Sequence, residues 1–83
     1  MEFILKIKPK ARKNLDKIPQ NYQARIIAAL DEIACDPFSG KKLSGRKKEL
    51  YSVPVWPYRI ICSTNKKELL VIVIDVGHRQ GIY

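Results

Sequence analysis

Histidine, methionine and tryptophan occur once each in this 83-residue chain, cysteine twice and glycine four times, and acidic residues number eight against sixteen Lys and Arg. Each scarcity removes a class of chemistry. The sequence holds no Gly-rich phosphate loop, no HExxH pair, no acidic metal cluster and no nucleophile elbow, so ATP-dependent and metal-dependent mechanisms are not expected, and neither is a cofactor. Cys35 and Cys62 have neither CxxC nor disulfide-framework spacing and sit in apolar surroundings, on a predicted helix and a predicted strand, so both are expected to be buried thiols. A metal site made from them and His78 would need three isolated ligands with no short-range spacing. The longest apolar run, Leu69 to Ile74, is far too short to span a membrane. Met1 leads directly into the alternation Phe3, Leu5, Ile7 without a charged leader or signal core, which makes the cytoplasm the expected location.

What the chain does have is positive charge. The formal net charge is +8, on a background of 46% apolar residues that is ordinary for a globular protein. Clustering makes the charge informative: Lys41, Lys42, Arg46, Lys47 and Lys48 fall within eight residues, and Lys6, Lys8, Lys10, Arg12, Lys13 and Lys17 form a second group. A field of this kind favours a polyanion through counterion release, or an acidic protein partner.

The length allows one domain, residues 1–83, with a modest core. Glu2 to Lys8 alternates apolar and polar residues apart from Ile4, the pattern of a strand with one buried face. Pro9 ends it and suits the first turn of a helix, in which Ala11, Leu15 and Ile18 recur at helical spacing. Pro19 breaks that helix. Asn21 is the expected N-cap of a second one, whose apolar face is Tyr22, Ile26, Ala29 or Leu30, and Ile33, up to the stop at Asp36-Pro37. Phe38 to Lys48, with two glycines, two serines and five cations, reads as a basic loop. Leu50 to Val55 is a strand that Pro54 marks as an edge or a bulge, Trp56-Pro57 a packed turn, Tyr58 to Ser63 a strand, Thr64 to Glu68 a polar hairpin loop, and Leu69 to Val76 a strand near the middle of the sheet, buried on both faces. The expected fold is α+β: an N-terminal strand, a two-helix hairpin, then a three-stranded antiparallel meander, with the helices on one face of a small, mostly antiparallel sheet and the other face open to a ligand.

The residue types able to do chemistry gather toward the C-terminal half. In a meander, Arg59 and Arg79 could converge near one end of the sheet, and two guanidinium forks can hold a phosphate and stabilise charge developing on pentacovalent phosphorus. RNA brings its own nucleophile, the 2′-hydroxyl, so a small basic protein can cleave it without metal by alignment, charge stabilisation and proton transfer. Histidine is the side-chain type suited to proton transfer near neutral pH, which makes His78 the candidate carrier. Tyr83 could stack on an unpaired base or protonate the leaving oxygen. A lysine among Lys47 and Lys48, with its pKa lowered by neighbouring cations, could serve as base. Lys41, Lys42, Arg46, Lys47 and Lys48 are the candidate RNA-binding cations. Each has an ordinary reading beside this one: cations in loops and strands usually face solvent, a lone His caps a strand end, and a terminal Tyr packs on the core.

Taken in order, a strand, a basic helix hairpin, LSG among basic residues, LYSV, PYRII after a short turn, a hydrophobic strand and VGHRQGIY resemble the RelE/ParE superfamily of toxins from type II toxin–antitoxin systems, over essentially all 83 residues. The most specific pieces are Tyr58-Arg59-Ile60 and Gly77-His78-Arg79 followed by Tyr83. The resemblance implies an endoribonuclease (mRNA interferase) of RelE type that cuts mRNA, often in the ribosomal A site, and so inhibits translation. By position, Arg59 matches the arginine at the scissile phosphate, Arg79 the second phosphate-stabilising arginine, and Tyr83 the C-terminal tyrosine that positions or stacks the substrate. His78 falls where many members carry His beside that arginine. The chain departs from the pattern at Ser52 and Pro54, where the best-known RelE-type site has lysines. Either His78 or a lysine just upstream then supplies the base, or the chain acts without cleaving: ParE-like members share the fold and inhibit DNA gyrase by binding. The implied partners are an acidic antitoxin that folds over the groove and packs against the helix hairpin, mRNA and the ribosome, with DNA reached only through the antitoxin complex.

Overall fold

The computed structural model describes residues 3–36, 41–42 and 50–78. In chain order the elements are β1 (Ile4–Ile7), α1 (Pro9–Asp16), α2 (Gln20–Cys35), β2 (Lys41–Lys42), β3 (Leu50–Val55), β4 (Tyr58–Asn65) and β5 (Leu70–His78). They build one mixed sheet in the order β1-β5-β4-β3-β2, parallel only between β1 and β5. The helix pair covers one face of it, as the apolar patterns require.

Local chemistry accounts for the helix hairpin. Pro9 occupies the first turn of α1, where its missing N–H is no loss. Lys17 and Ile18 donate to the carbonyls of Asn14 and Leu15, closing α1 with a tightened turn. Asn21 is not the N-cap of α2. The helix begins two residues earlier than that cap would set, at Gln20, with Pro19 as the cap residue whose carbonyl accepts from Tyr22 and Gln23 at 2.9 Å each. The Gln23 side chain donates back to the carbonyl of Leu15 at 2.9 Å, giving that acceptor a second donor and fastening the two helices together.

The core lies between helices and sheet. Ala11, Leu15, Ile18, Ile26, Leu30 and Ile33 pack onto Tyr51, Ile60, Cys62, Val71, Val73 and Val76, with Leu5 and Ile7 of β1 beside them. Burying each of the larger aliphatic side chains contributes about 1.5–3 kcal/mol. β5 runs between β1 and β4, inside the sheet as expected, but only one of its faces is fully buried: Val71, Val73 and Val76 are enclosed, while Leu70, Ile72 and Ile74 on the helix-free side are half-buried. The three-residue step from Val73 to Val76 marks a bulge, where the pairing with β4 slips so that Ile61 faces Asp75 and Cys62 faces Val73.

Three further expectations change. Within Phe38 to Lys48, Lys41 and Lys42 form β2, because their backbone pairs with Ser52 and Tyr51; the rest of that segment lies outside the described residues. Cys35 is exposed at the end of α2, whereas Cys62 is buried, and neither joins a disulfide. Trp56, expected in a packed turn, keeps 65% of its surface exposed at the β3–β4 turn. Among the described residues no helix is long and apolar enough to cross a membrane.

Candidate functional site

Strand alternation sorts the candidates onto two faces. On β4, Ile60 and Cys62 enter the core beneath the helices, so Arg59 and Ile61 belong to the helix-free face. Arg59 pairs with Pro54 of β3 on one side and Gly77 of β5 on the other. Gly77 has no side chain, which leaves room beside the arginine. The guanidinium leans along the sheet toward Ser52, two register pairs further on and the next β3 residue on that face: Nη1 donates to the Ser52 hydroxyl at 2.9 Å. Ser52 is fully buried.

That single bond leaves most of the guanidinium unused. Arg59 is half-buried, its Nε is buried without a hydrogen-bond partner, and among the described residues no carboxylate pairs with it. A half-buried cation without a counter-ion loses part of its hydration, a loss that a bound anion would offset. Arg59 therefore presents a half-buried guanidinium with unused donors on the helix-free face, where its neighbours Ser52 and Ile61 are fully buried.

His78 lies on the other side. It pairs with Tyr58, and the two rings meet edge to face, centroids 5.8 Å apart. Tyr58 in turn meets Tyr22 of α2 at 5.5 Å, and the Arg25 guanidinium sits 5.9 Å from the Tyr22 ring centre. The result is a ladder of rings from α2 to the end of β5. It borders a cleft of about 340 Å³ at the end of α1, lined by Asn14, Lys17, Ile18, Tyr58, Asp75 and His78 among others. The structure thus separates Arg59 and His78 by the thickness of the sheet.

Sequence reasoning missed Asp75, the one carboxylate in an otherwise apolar strand. The bulge turns it toward α1, where Asn14 donates to it at 2.7 Å, its neighbour Val76 donates a backbone N–H at 2.8 Å, and Lys10 stands 3.3 Å away. With all these contacts met, Asp75 fastens α1 to β5. Its signal was its isolation in LLVIVIDV. Cys62, enclosed on the same face, has its thiol pushed up to about 11 by burial, which makes it unreactive. Among the described residues no three His, Cys, Asp or Glu side chains gather where they could hold a metal ion.

Of the cations singled out in the basic segment, Lys41 and Lys42 form β2, at the far edge of the sheet from β1. Arg46, Lys47, Lys48, Arg79 and Tyr83 lie outside the described residues.

The family described as "ParE toxin of type II toxin-antitoxin system, parDE" matches residues 5–83. The chain belongs to this family of toxins. Solved structures of RelE toxins share its fold. The RelE–RelB complex of the archaeon Pyrococcus horikoshii is 25% identical with a TM-score of 0.84, covering 99% of this chain and 100% of that one. A RelBE toxin–antitoxin complex of Mycobacterium tuberculosis is 21% identical at a TM-score of 0.85, covering 95% and 93%. The intact RelBE complex of Escherichia coli is 23% identical at 0.81, covering 92% and 95%. No curated protein matches the sequence. A toxin of the RelE/ParE superfamily, with the α+β fold of RelE, is thus what sequence and structure together establish.

Proposed function

We propose that this toxin is a metal-independent endoribonuclease, an mRNA interferase, that holds a phosphodiester of mRNA on the helix-free face of its sheet. The observation that carries the reading is Arg59: half-buried and, among the described residues, without a carboxylate partner and bonded through its side chain to Ser52 alone. In the reaction the 2′-oxygen attacks phosphorus as a base removes its proton, and the 5′-oxygen leaves as it gains one, giving a 2′,3′-cyclic phosphate and a 5′-hydroxyl end. Arg59 stabilises the charge that builds on the non-bridging oxygens. Arg79 supplies the second guanidinium and Tyr83 stacks the base or protonates the leaving oxygen. Ser52 and Pro54 cannot accept the 2′-proton, which leaves that role to a lysine of the basic segment. His78, on the opposite face, is better placed to contact flanking RNA than the reacting atoms.

The net charge of +8 supports two partners: mRNA, met on the ribosome, and a cognate acidic antitoxin that masks the open face and packs against α1 and α2. The solved relatives being complexes with antitoxins supports the second. DNA is reached only through that complex, and the cytoplasm is where these partners are found.

The test is a purified translation system with programmed ribosomes and mapped mRNA 5′ ends. Wild type is expected to cleave, and Arg59→Ala to lose about 10²–10³-fold in rate. The match to ParE toxins favours one other reading, inhibition of DNA gyrase by binding. Intact mRNA with translation continuing, together with loss of supercoiling in a gyrase assay, would decide for it.

A further inference from the structure

Single strands of nucleic acid are held by two kinds of group acting together, cations that track the backbone and flat aromatic faces on which bases stack. The proposed phosphate site has its cations in Arg59 and Arg79, and the same end of the sheet carries an aromatic group to which that reading gives no role. Trp56 is the one tryptophan of the chain. β3 and β4 end their pairing at Val55 and Tyr58, both packed against the core, and the chain then turns through Trp56 and Pro57. An indole offers up to about 250 Å² of surface to bury, so leaving most of it in water forgoes a large gain in stability. Trp56 nevertheless keeps 65% of its surface exposed. Register ties its place to Arg59. Arg59 pairs with Pro54, two residues before Trp56 in β3, and its guanidinium reaches Ser52, two residues before that. At about 3.3 Å per residue, the backbone of Trp56 is therefore roughly 13 Å along the strand from Ser52. Pro54, which lies between them, is compact and exposed.

We infer that Trp56 is a stacking platform for an unpaired base of the strand whose phosphate Arg59 holds, the base of a nucleotide that flanks the scissile phosphate. The division of labour suits the chemistry. A guanidinium fork fixes the direction of two phosphate oxygens, which sets the reacting group but not the lie of the rest of the strand. A base stacked on an indole further along β3 adds that second point of attachment. Every base has a π-face, so the contact fixes where the strand lies without selecting its sequence. The inference rests on the phosphate-binding reading of Arg59, and its test separates the two.

The probe is a 2′-deoxy oligonucleotide, which has the phosphates and the bases but not the nucleophile, so binding is read without cleavage. A fluorescein-labelled form gives the affinity by anisotropy, and with an unlabelled form Trp56, as the only tryptophan, reports by its own emission. A second probe of the same length is abasic throughout. The oligonucleotide with bases is expected to quench Trp56, saturating at the affinity that anisotropy gives, and the abasic one to leave the emission unchanged. Trp56→Ala, at an exposed position, should weaken binding of the first probe at least fivefold and of the abasic one less than twofold, and Trp56→Phe should recover most of the loss. Salt separates the two residues. Arg59→Ala should lower the slope of log affinity against log salt by about 0.7, one phosphate contact on a single strand, whereas Trp56→Ala should leave the slope as it is. Unquenched emission, or equal losses by Trp56→Ala on both probes, would overturn the role of Trp56 and leave the phosphate reading standing. Unchanged affinity and slope in Arg59→Ala would overturn both.

Discussion

If Arg59 is kept for a ligand and not for the fold, the protein should become more stable without it, provided its one partner is removed as well. Arg59→Met keeps the apolar stem and deletes the charge. Alone it relieves a buried donor that has no partner, a gain of about 1–3 kcal/mol, but leaves the buried Ser52 hydroxyl without its donor, a loss of similar size. The single variant should therefore fall within about 1 kcal/mol of wild type. Ser52→Ala alone leaves Nη1 unmatched and should cost about 1–3 kcal/mol. The double variant removes both halves of the mismatch, so it should exceed wild type by about 2 kcal/mol, or roughly 8–16 °C in Tm for a domain of this size. Urea denaturation followed by far-UV circular dichroism, with an unchanged m-value, measures this directly. A double variant less stable than wild type by more than about 1 kcal/mol would refute the reasoning, because it would make Arg59 a structural residue.

Other outcomes follow from the remaining geometry. Asp75→Ala should destabilise by about 2 kcal/mol in the same assay, since it removes charged hydrogen bonds from Asn14 and from the Val76 N–H, whereas Lys10→Ala, at a lysine whose side chain is 75% exposed, should cost under about 1 kcal/mol. At pH 8 iodoacetamide should label Cys35 and spare Cys62 until the protein unfolds, because with its thiol near 11 only about one Cys62 in a thousand is a thiolate. The same shift sets a pH dependence: the folded-state value is raised from 9.0, so its contribution is intact below pH 9 and is lost as pH climbs toward 11, and Cys62→Ala should flatten that slope in stability measured against pH. His78→Ala should lower mRNA cleavage less than tenfold in the translation system; a loss matching that of Arg59→Ala would show that the histidine reaches the reacting phosphate after all.

Periodicity carried most of the fold. The 3.6-residue spacing of Ala11, Leu15 and Ile18 and of Ile26 and Ile33, together with the alternation in β1, placed the helices and their buried faces, and the proline punctuation placed the ends to within a residue or two. What escaped was decided by partners distant in sequence. Lys41 and Lys42 form a strand only because Tyr51 and Ser52 lie opposite them, and nothing in a Gly-, Ser- and Lys-rich segment announces that. The exposure of Cys35 depends on how α2 is rotated over the sheet, and the role of Asp75 on a one-residue bulge that composition does not reveal. Of the candidate site, Arg59 was legible as a chemical type; that no carboxylate among the described residues pairs with it was not, because that is a property of the surroundings and not of the residue.

Contiguity in sequence misleads most at the end of β5. Gly77 and His78 are neighbours in a short motif that invites one shared role, yet a strand sends consecutive residues to opposite faces, and the register fixes which goes where: Gly77 beside Arg59, His78 beside Tyr58. A glycine on the helix-free face leaves room on one side of the half-buried arginine. A histidine on the helix face extends the ladder Tyr22–Tyr58–His78 that braces the sheet end against α2. The two residues thus serve opposite sides of one layer, and a substitution tests only the side it touches. Gly77→Val should fill the space beside Arg59 and weaken binding of the oligonucleotide while leaving the ring ladder intact. His78→Ala should loosen the ladder, measured as a fall in stability of about 0.5–1.5 kcal/mol, and weaken affinity for a 2′-deoxy oligonucleotide less than Gly77→Val does. The opposite pattern, affinity lost with His78 and kept with Gly77→Val, would put the anion site on the helix face and move the chemistry with it.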